Sequence, residues 1–155
     1  VPQRAAVIRG TLHDNLKIAD ESVTESREIF ALETAQASEL LRAVGLNGEI
    51  AEGGKNLSGG QRQRVNIARA LCRDNLLYLF DDSTSALDYK TERDFIDAVK
   101  KTDGAKIFVS QRISAVSGCD KILVLDGGKT VGYGTHEQLK AECPLYAEFC
   151  ASQSG

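Results

Sequence analysis

The chain has 155 residues, enough for one domain with a real core. Its net charge is −3 with both signs interspersed, and the absence of a basic stripe argues against a nucleic-acid partner. No apolar run approaches the length that spans a bilayer, so the chain reads as soluble, and four irregularly spaced cysteines give neither a metal pattern nor a disulfide framework, which fits a reducing cytosol.

Val1-Pro2-Gln3-Arg4 opens as a loop, because Pro punctuates regular structure. Residues 22–46 read as two helices. Ser22 or Thr24 caps the first, whose apolar side is Ile29, Phe30 and Leu32; the second uses Ala37, Leu40, Leu41 and Val44 and stops at Gly45. Glu49 to Asn56 is a polar, Gly-rich loop. Leu57-Ser58-Gly59-Gly60-Gln61 then feeds a helix with Val65, Ala68, Leu71 and Cys72 on one face. Leu76 to Asp82 is a short apolar run ending in two carboxylates and predicts a fully buried strand. Tyr89 to about Lys101 predicts a helix, and Lys106 to Ser110 a second buried strand that ends at Gln111-Arg112. Residues 121–133 predict a hairpin turning at Asp126-Gly127-Gly128. Thr135 and Gln138 form a capping box, and Pro144 opens a last helix.

Two stretches carry chemistry. A helix start offers unpaired N–H groups and the positive end of a dipole, so the helix behind Ser58 suits an anion; read alone, the stretch is more simply a capped surface helix after a Gly turn, and the residues downstream reverse that reading. Asp81 and Asp82 lie at the carboxyl end of a strand, where open α/β sheets place ligands, and a carboxylate there can hold Mg²⁺.

The ordered string of Leu57 to Gln61, helix, apolar strand, Asp81-Asp82 and Ser85-Ala86-Leu87-Asp88 resembles the nucleotide-binding domain of ATP-binding cassette (ABC) transporters of exporter type. The resemblance implies an α/β fold: a truncated P-loop NTPase (ABC ATPase) with a mostly parallel sheet core, a helical subdomain and the P-loop strand missing. It covers essentially the whole chain but only the later part of the family's domain. Residues from about 8 to 75 would be the helical subdomain and signature, and from about 76 to 155 the C-terminal part of the RecA-like core.

Carried over position by position, the resemblance makes Gln3 the Q-loop glutamine and Asp81 the Walker B aspartate, both Mg²⁺ ligands. It gives Asp82 and Gln111 catalytic positions, and Ser58, Gly59, Gly60, Gln61 and the D-loop residue Asp88 contacts to ATP. Glu49 and Glu52 match the acidic pair of an X-loop that faces the transmembrane domains, whereas Ala51 and Gly53 depart from it. The implied partners are those domains and a second nucleotide-binding domain, at the cytoplasmic face of a membrane.

No Gly-x-x-x-x-Gly-Lys-Ser/Thr phosphate loop occurs. Gly128-Lys129-Thr130 imitates its end, but Leu123 stands where a Gly is needed and a strand follows in place of a helix. Val1 as first residue and the lack of any Met read as a piece of a longer chain. Without a P-loop strand beside it, the 121–133 hairpin is expected to shift, disorder or pair with another chain.

Two departures concern catalysis. Asp82 stands where most active members have Glu, one methylene longer, and a misplacement near 1 Å can cost about 100-fold. Gln111 stands where most have His and carries no positive charge. Together they resemble the degenerate half of a heterodimeric exporter, whose Ser58–Gln61 segment completes the site of a non-identical partner. The parent would hydrolyse ATP to power efflux, and this chain alone would be inactive. The alternatives are a soluble ABC ATPase of DNA repair or translation, which the acidic balance opposes, and a nucleotide-independent interaction fragment.

Overall fold

The computed structural model describes residues 1–153, which divide into two units, Val1–Val109 and the residues from Ser110 onward. The first unit runs β1 (Gly10–Thr11), α1 (Leu12–Lys17), α2 (Glu25–Thr34), α3 (Ser38–Val44) and β2 (Glu49–Ile50). A 3-10 turn (Glu52–Gly54), α4 (Gly59–Leu71), β3 (Leu77–Asp81), α5 (Tyr89–Val99) and β4 (Ala105–Val109) follow.

Local chemistry sets most of these boundaries. Thr24 caps α2 by accepting from the Arg27 amide, and α3 stops at Gly45, as the sequence predicts. Helix α1 is not among the elements read from the sequence. It starts from a capping box in which Thr11 accepts from the Asp14 amide and Asp14 accepts from the Thr11 amide. An Asp in place of the usual Glu or Gln hid that signal.

Helices α1, α2 and α4 bury Leu12, Leu16, Leu32 and Ile67 completely, each contributing about 1.5–3 kcal/mol over exposure. The buried side of α2 differs from expectation. It consists of Glu28, Ala31, Leu32 and Thr34, while Phe30 turns outward and lies 5.0 Å from the Arg27 guanidinium. Val44 of α3 is likewise exposed. Phe30 pairs its ring with a cation at the surface, so its apolar character did not decide its direction.

Strands β3 and β4 pair in parallel, from Leu77 opposite Ala105 to Asp81 opposite Val109. On one face Tyr78 and Phe80 are buried, and Phe80 meets Phe108 at 5.0 Å and Phe95 of α5 at 5.4 Å. The other face departs from the fully buried strands expected: Leu77, Leu79, Ile107 and Val109 are each about half exposed, at 53, 50, 48 and 50%. A parallel strand is apolar throughout because helices cover both its faces. Here α5 fills one face through Phe95, and the other is left open.

The second unit holds α6 (Ile113–Val116), β5 (Ile122–Asp126), β6 (Lys129–Gly134), α7 (His136–Glu142) and α8 (Pro144–Ser152). β5 and β6 form the expected hairpin, with Gly127 and Gly128 at φ +54° and +77°, the left-handed pair that a two-residue turn requires. Among the described residues these strands pair only with each other, so the hairpin has no strand neighbour there. It forms nevertheless, with a register shift between Val124 and Leu125, and Ile122 and Val124 pack with Leu139, Cys143, Tyr146 and Cys150 of α7 and α8 in a small core. The Thr135–Gln138 capping box forms as predicted, and Lys129-Thr130 enters β6, not a helix. All four cysteines are free thiols.

Candidate functional site

Ser58 caps α4. Its Oγ accepts from the Gln61 amide at 3.1 Å, while the Ser58 amide donates to Gln61 Oε1 at 2.8 Å. This reciprocal pair fixes the turn and still leaves the Ser58 hydroxyl proton available to an acceptor. Both side chains therefore serve the helix start first, and Ser58 remains exposed. Gly59 is exposed too, whereas a Cβ on Gly60 would meet the Ala86 carbonyl oxygen at 3.2 Å. Gly60 thus permits the stretch before Asp88 to lie against the helix start.

Asp88 caps α5, accepting from the Thr91 amide at 3.0 Å and from Thr91 Oγ1 at 2.7 Å. The Thr91 amide, and then its hydroxyl, hold the Asp88 carboxyl below the ordinary carboxylate range. Asp88 lies on the surface with its cap bonds already made.

At the end of β3, Asp81 is exposed, and its amide donates to the Val1 carbonyl at 2.9 Å. Asp82 follows with φ +45°, a left-handed conformation unusual for a residue with a Cβ. Its amide donates to the Val109 carbonyl at 2.8 Å, and its own carbonyl accepts from Ser85 Oγ at 2.8 Å. Gln3 Nε2 donates to Asp82 Oδ2 at 2.8 Å. The structure thus brings Gln3, Asp81 and Asp82 to one place.

A carboxylate, a second carboxylate and an amide oxygen are the hard oxygen donors that suit Mg²⁺. They fit such an ion if phosphate oxygens and water complete its shell. Among the described residues, no three His, Cys, Asp or Glu side chains gather as a self-sufficient metal site. Gln111 sits in an exposed bend of the second unit, where its carbonyl accepts from Gln153 Nε2 at 2.9 Å.

Glu49 and Glu52 are both exposed on the loop that β2 begins. Asn56 shapes that loop: its Oδ1 accepts from the Ala51 amide at 2.9 Å and its Nδ2 donates to the Glu49 carbonyl at 2.8 Å. Arg62 closes it from below, donating Nη1 to the Leu57 and Gly54 carbonyls at 2.6 and 3.1 Å.

Sequence reasoning missed several polar residues under this surface. Glu28 is wholly buried and meets His13 Nδ1 at 2.8 Å. Asn15 is wholly buried and bonded to Arg69 of α4. A Glu in the middle of an apolar helix face was the available signal for the first. For Asn15 the capping box just before it would have placed the residue on a buried turn.

The fold is that of an ABC ATPase, of the P-loop NTPase class, with two carboxylates at the carboxyl end of a parallel strand. The ABC transporter family model matches residues 2–85, and the chain belongs to that family. It is 46% identical over 159 residues to an uncharacterized ABC transporter ATP-binding protein of Mycobacterium bovis, covering 99% of this chain and 27% of that protein. It is 39% identical over 150 residues to the ATP-dependent lipid A-core flippase of Neisseria meningitidis serogroup B, covering 94% of this chain and 24% of that one. Its structure is similar, with a TM-score of 0.93 and 32% identity, to a bacterial Atm1-family ABC exporter with ATP bound, over 100% of this chain and 28% of the other. The chain therefore spans about a quarter of the length of the relatives it matches. Among the described residues, no helix is long and apolar enough to cross a membrane.

Proposed function

We propose that this chain is the signature-bearing part of the ATP-binding domain of an ABC exporter, in a protein that hydrolyses ATP to drive efflux. The observation that carries the reading is the bond from Gln3 Nε2 to Asp82 Oδ2 at the end of β3. It unites the two motif residues that a metal–phosphate site needs from distant parts of the chain. The names of the relatives, a flippase and an Atm1-family exporter, support export. Residues from about 8 to 75 are the helical subdomain and signature, and those from about 76 onward belong to the RecA-like core.

Each residue has a role in this reading. Asp81 and the Gln3 amide oxygen hold Mg²⁺, which when bound neutralises charge on the phosphates. Asp82 orients the attacking water, with Gln111 as the neutral donor towards the terminal phosphate. Ser58, Gly59, Gly60 and Gln61 at the α4 start, with Asp88, contact the nucleotide held by a second nucleotide-binding domain. Glu49 and Glu52 face the transmembrane domains, which places the chain at the cytoplasmic face of the membrane. The short Asp82 side chain and uncharged Gln111 make this chain's own site the weak one of a non-identical pair. Taken alone, the chain is inactive, because its sequence holds no phosphate loop.

Titration calorimetry of the full-length protein with MgATP tests the reading. Binding that weakens at least about tenfold in Asp81→Asn is expected, since that change removes a charged Mg²⁺ ligand. Unchanged binding in Asp81→Asn would refute the metal assignment, and no binding in the unaltered protein would refute the nucleotide reading.

A further inference from the structure

The turn that joins α3 to β2 carries the pair Asn47-Gly48. The backbone nitrogen of a glycine can attack the carboxamide carbon of the asparagine before it, because no side chain shields that nitrogen. Of the chain's asparagines, Gly follows this one alone; Leu or Ile follows each of the others. Asn15 and Asn66 are buried, and Asn56 and Asn75 donate their carboxamides to the Glu49 and Ala70 carbonyls. Asn47 is exposed.

Packing fixes Gly48 in place. A Cβ there would lie 2.3 Å from Val44 Cβ and 2.6 Å from the Val44 carbonyl oxygen, so no other residue fits without a shift. The Gly48 amide donates to the Gly45 carbonyl at 3.2 Å, the long end of the normal range. Its carbonyl accepts from the Leu12 amide at 3.0 Å, and the Leu46 carbonyl accepts from the His13 amide at 2.8 Å. The start of α1 therefore grips the turn on both sides of Asn47. His13 and Asn47 also line one small hollow, together with Glu25 and Leu46. On its inner side His13 Nδ1 meets Oε2 of the wholly buried Glu28 at 2.8 Å. A carboxylate only accepts, so beside ionised Glu28 the hydrogen sits on Nδ1 and Nε2 keeps its lone pair. Imidazole is also a stronger base than the carboxylate type that Glu25 brings to the hollow.

We propose that Asn47 is a self-modification site, converted to aspartate or isoaspartate with His13 as the base. His13 Nε2 takes the Gly48 amide proton as that nitrogen attacks Asn47 Cγ. The new N–Cγ bond closes a succinimide ring and the Cγ–Nδ2 bond breaks. The imidazolium returns the proton to Nδ2, which leaves as ammonia. Water, the one co-reactant, then opens the ring. Opening at Cγ gives aspartate; opening at the other carbonyl gives isoaspartate, which adds a carbon to the main chain just before β2. Either product puts a new carboxylate close to Glu49. What that charge does to a membrane partner rests on the functional reading above, whereas the reaction rests on the turn and the hollow alone.

The test is peptide mapping by mass spectrometry of the full-length protein held at about pH 8, for the unaltered protein, His13→Gln and Asn47→Gln. His13→Gln keeps a donor for Glu28, and Asn47→Gln is a change at an exposed position, so both should fold. The folded unaltered protein should gain about 1 Da at Asn47 at least about tenfold faster than at Asn15, Asn56, Asn66 or Asn75, with isoaspartate in the product. Asn47→Gln should abolish the gain at that position, because its ring closure is slower. His13→Gln should slow the gain at Asn47 at least about threefold. In urea, where the hollow is gone, His13→Gln and the unaltered protein should react equally. A merely structural loss in His13→Gln would loosen the turn and speed the reaction, the opposite of the expected change. No gain at Asn47, or a gain no faster than at Asn56, would overturn the site. A rate in folded His13→Gln equal to or above that of the unaltered protein, or a slowing that persists in urea, would overturn the role of His13.

Discussion

Gln3 and Asp82 are 79 positions apart in the chain and are joined by a 2.8 Å hydrogen bond from the amide Nε2 to the carboxylate Oδ2. The bond forms at a residue held at φ +45°, so Asp82 carries backbone strain as well as a partner. Asp and Asn accept this conformation better than other residues with a Cβ.

Substitutions at Asp82 should separate the two properties. Asp82→Asn retains a tolerated backbone and an acceptor for Gln3, and its urea midpoint should stay close to that of the unaltered protein. Asp82→Val should lose about 1–2 kcal/mol, because a β-branched residue fits the left-handed region poorly. Equal midpoints for Asn and Val would show that the strain is not real.

Asn56 holds the loop that carries Glu49 and Glu52 through two bonds to its backbone. Asn56→Ala should cost about 1–2 kcal/mol, the net worth of those bonds. Limited proteolysis should then cut near Lys55 sooner than in the unaltered protein. An unaltered cleavage rate would show that the loop is held by other contacts.

Cys72 ends α4 in a buried setting, and burial first, then the neighbouring Glu28 carboxylate, push its thiol up to about 12. It should therefore resist iodoacetamide at pH 8 in the folded protein and react once urea unfolds the chain. A group with a raised pKa keeps its proton in the folded state after the unfolded chain has lost it. Stability contributed by Cys72 should thus fall as pH rises from about 9 to about 12.

Asp14 and Asp88 behave oppositely. The Thr11 and Thr91 amides, followed by the hydroxyls of the same residues, lower the two carboxyl pKa values as the carboxylates cap α1 and α5. A depressed folded pKa gives stability that is present above the unfolded value and lost as pH falls through the folded one. Thermal melts from pH 6 down to pH 2 should show that loss, and Asp88→Asn, which can still cap, should flatten part of it. Identical acid profiles for Asp88→Asn and the unaltered protein would exclude Asp88 as a contributor.

These elements also show what the sequence made legible. The Ser58 cap, Thr24 at α2, the Gly127-Gly128 turn and the Thr135–Gln138 box could be read because each is a short-range arrangement with its own residue signature. The half-exposed Leu77, Leu79, Ile107 and Val109 could not. Apolar composition records a preference for burial but not what supplies the cover. Arg69 and Asn15 were hidden for a different reason: their bonds cross 54 positions, and neither residue announces a long-range partner. The family resemblance assigned Gln3 and Asp82 separate roles, but their pairing was not read, since nothing local links a loop glutamine to the end of a distant strand.

The most direct test of the account is steady-state ATP hydrolysis by the full-length protein assembled with its partner half, comparing Ser58→Ala with Asp82→Asn. If Ser58 completes the partner's competent site and Asp82 serves a weak one, Ser58→Ala should lower kcat at least about tenfold and Asp82→Asn less than about twofold. Equal losses from the two substitutions, or a larger loss from Asp82→Asn, would contradict the asymmetric reading and make this chain's own site the working one.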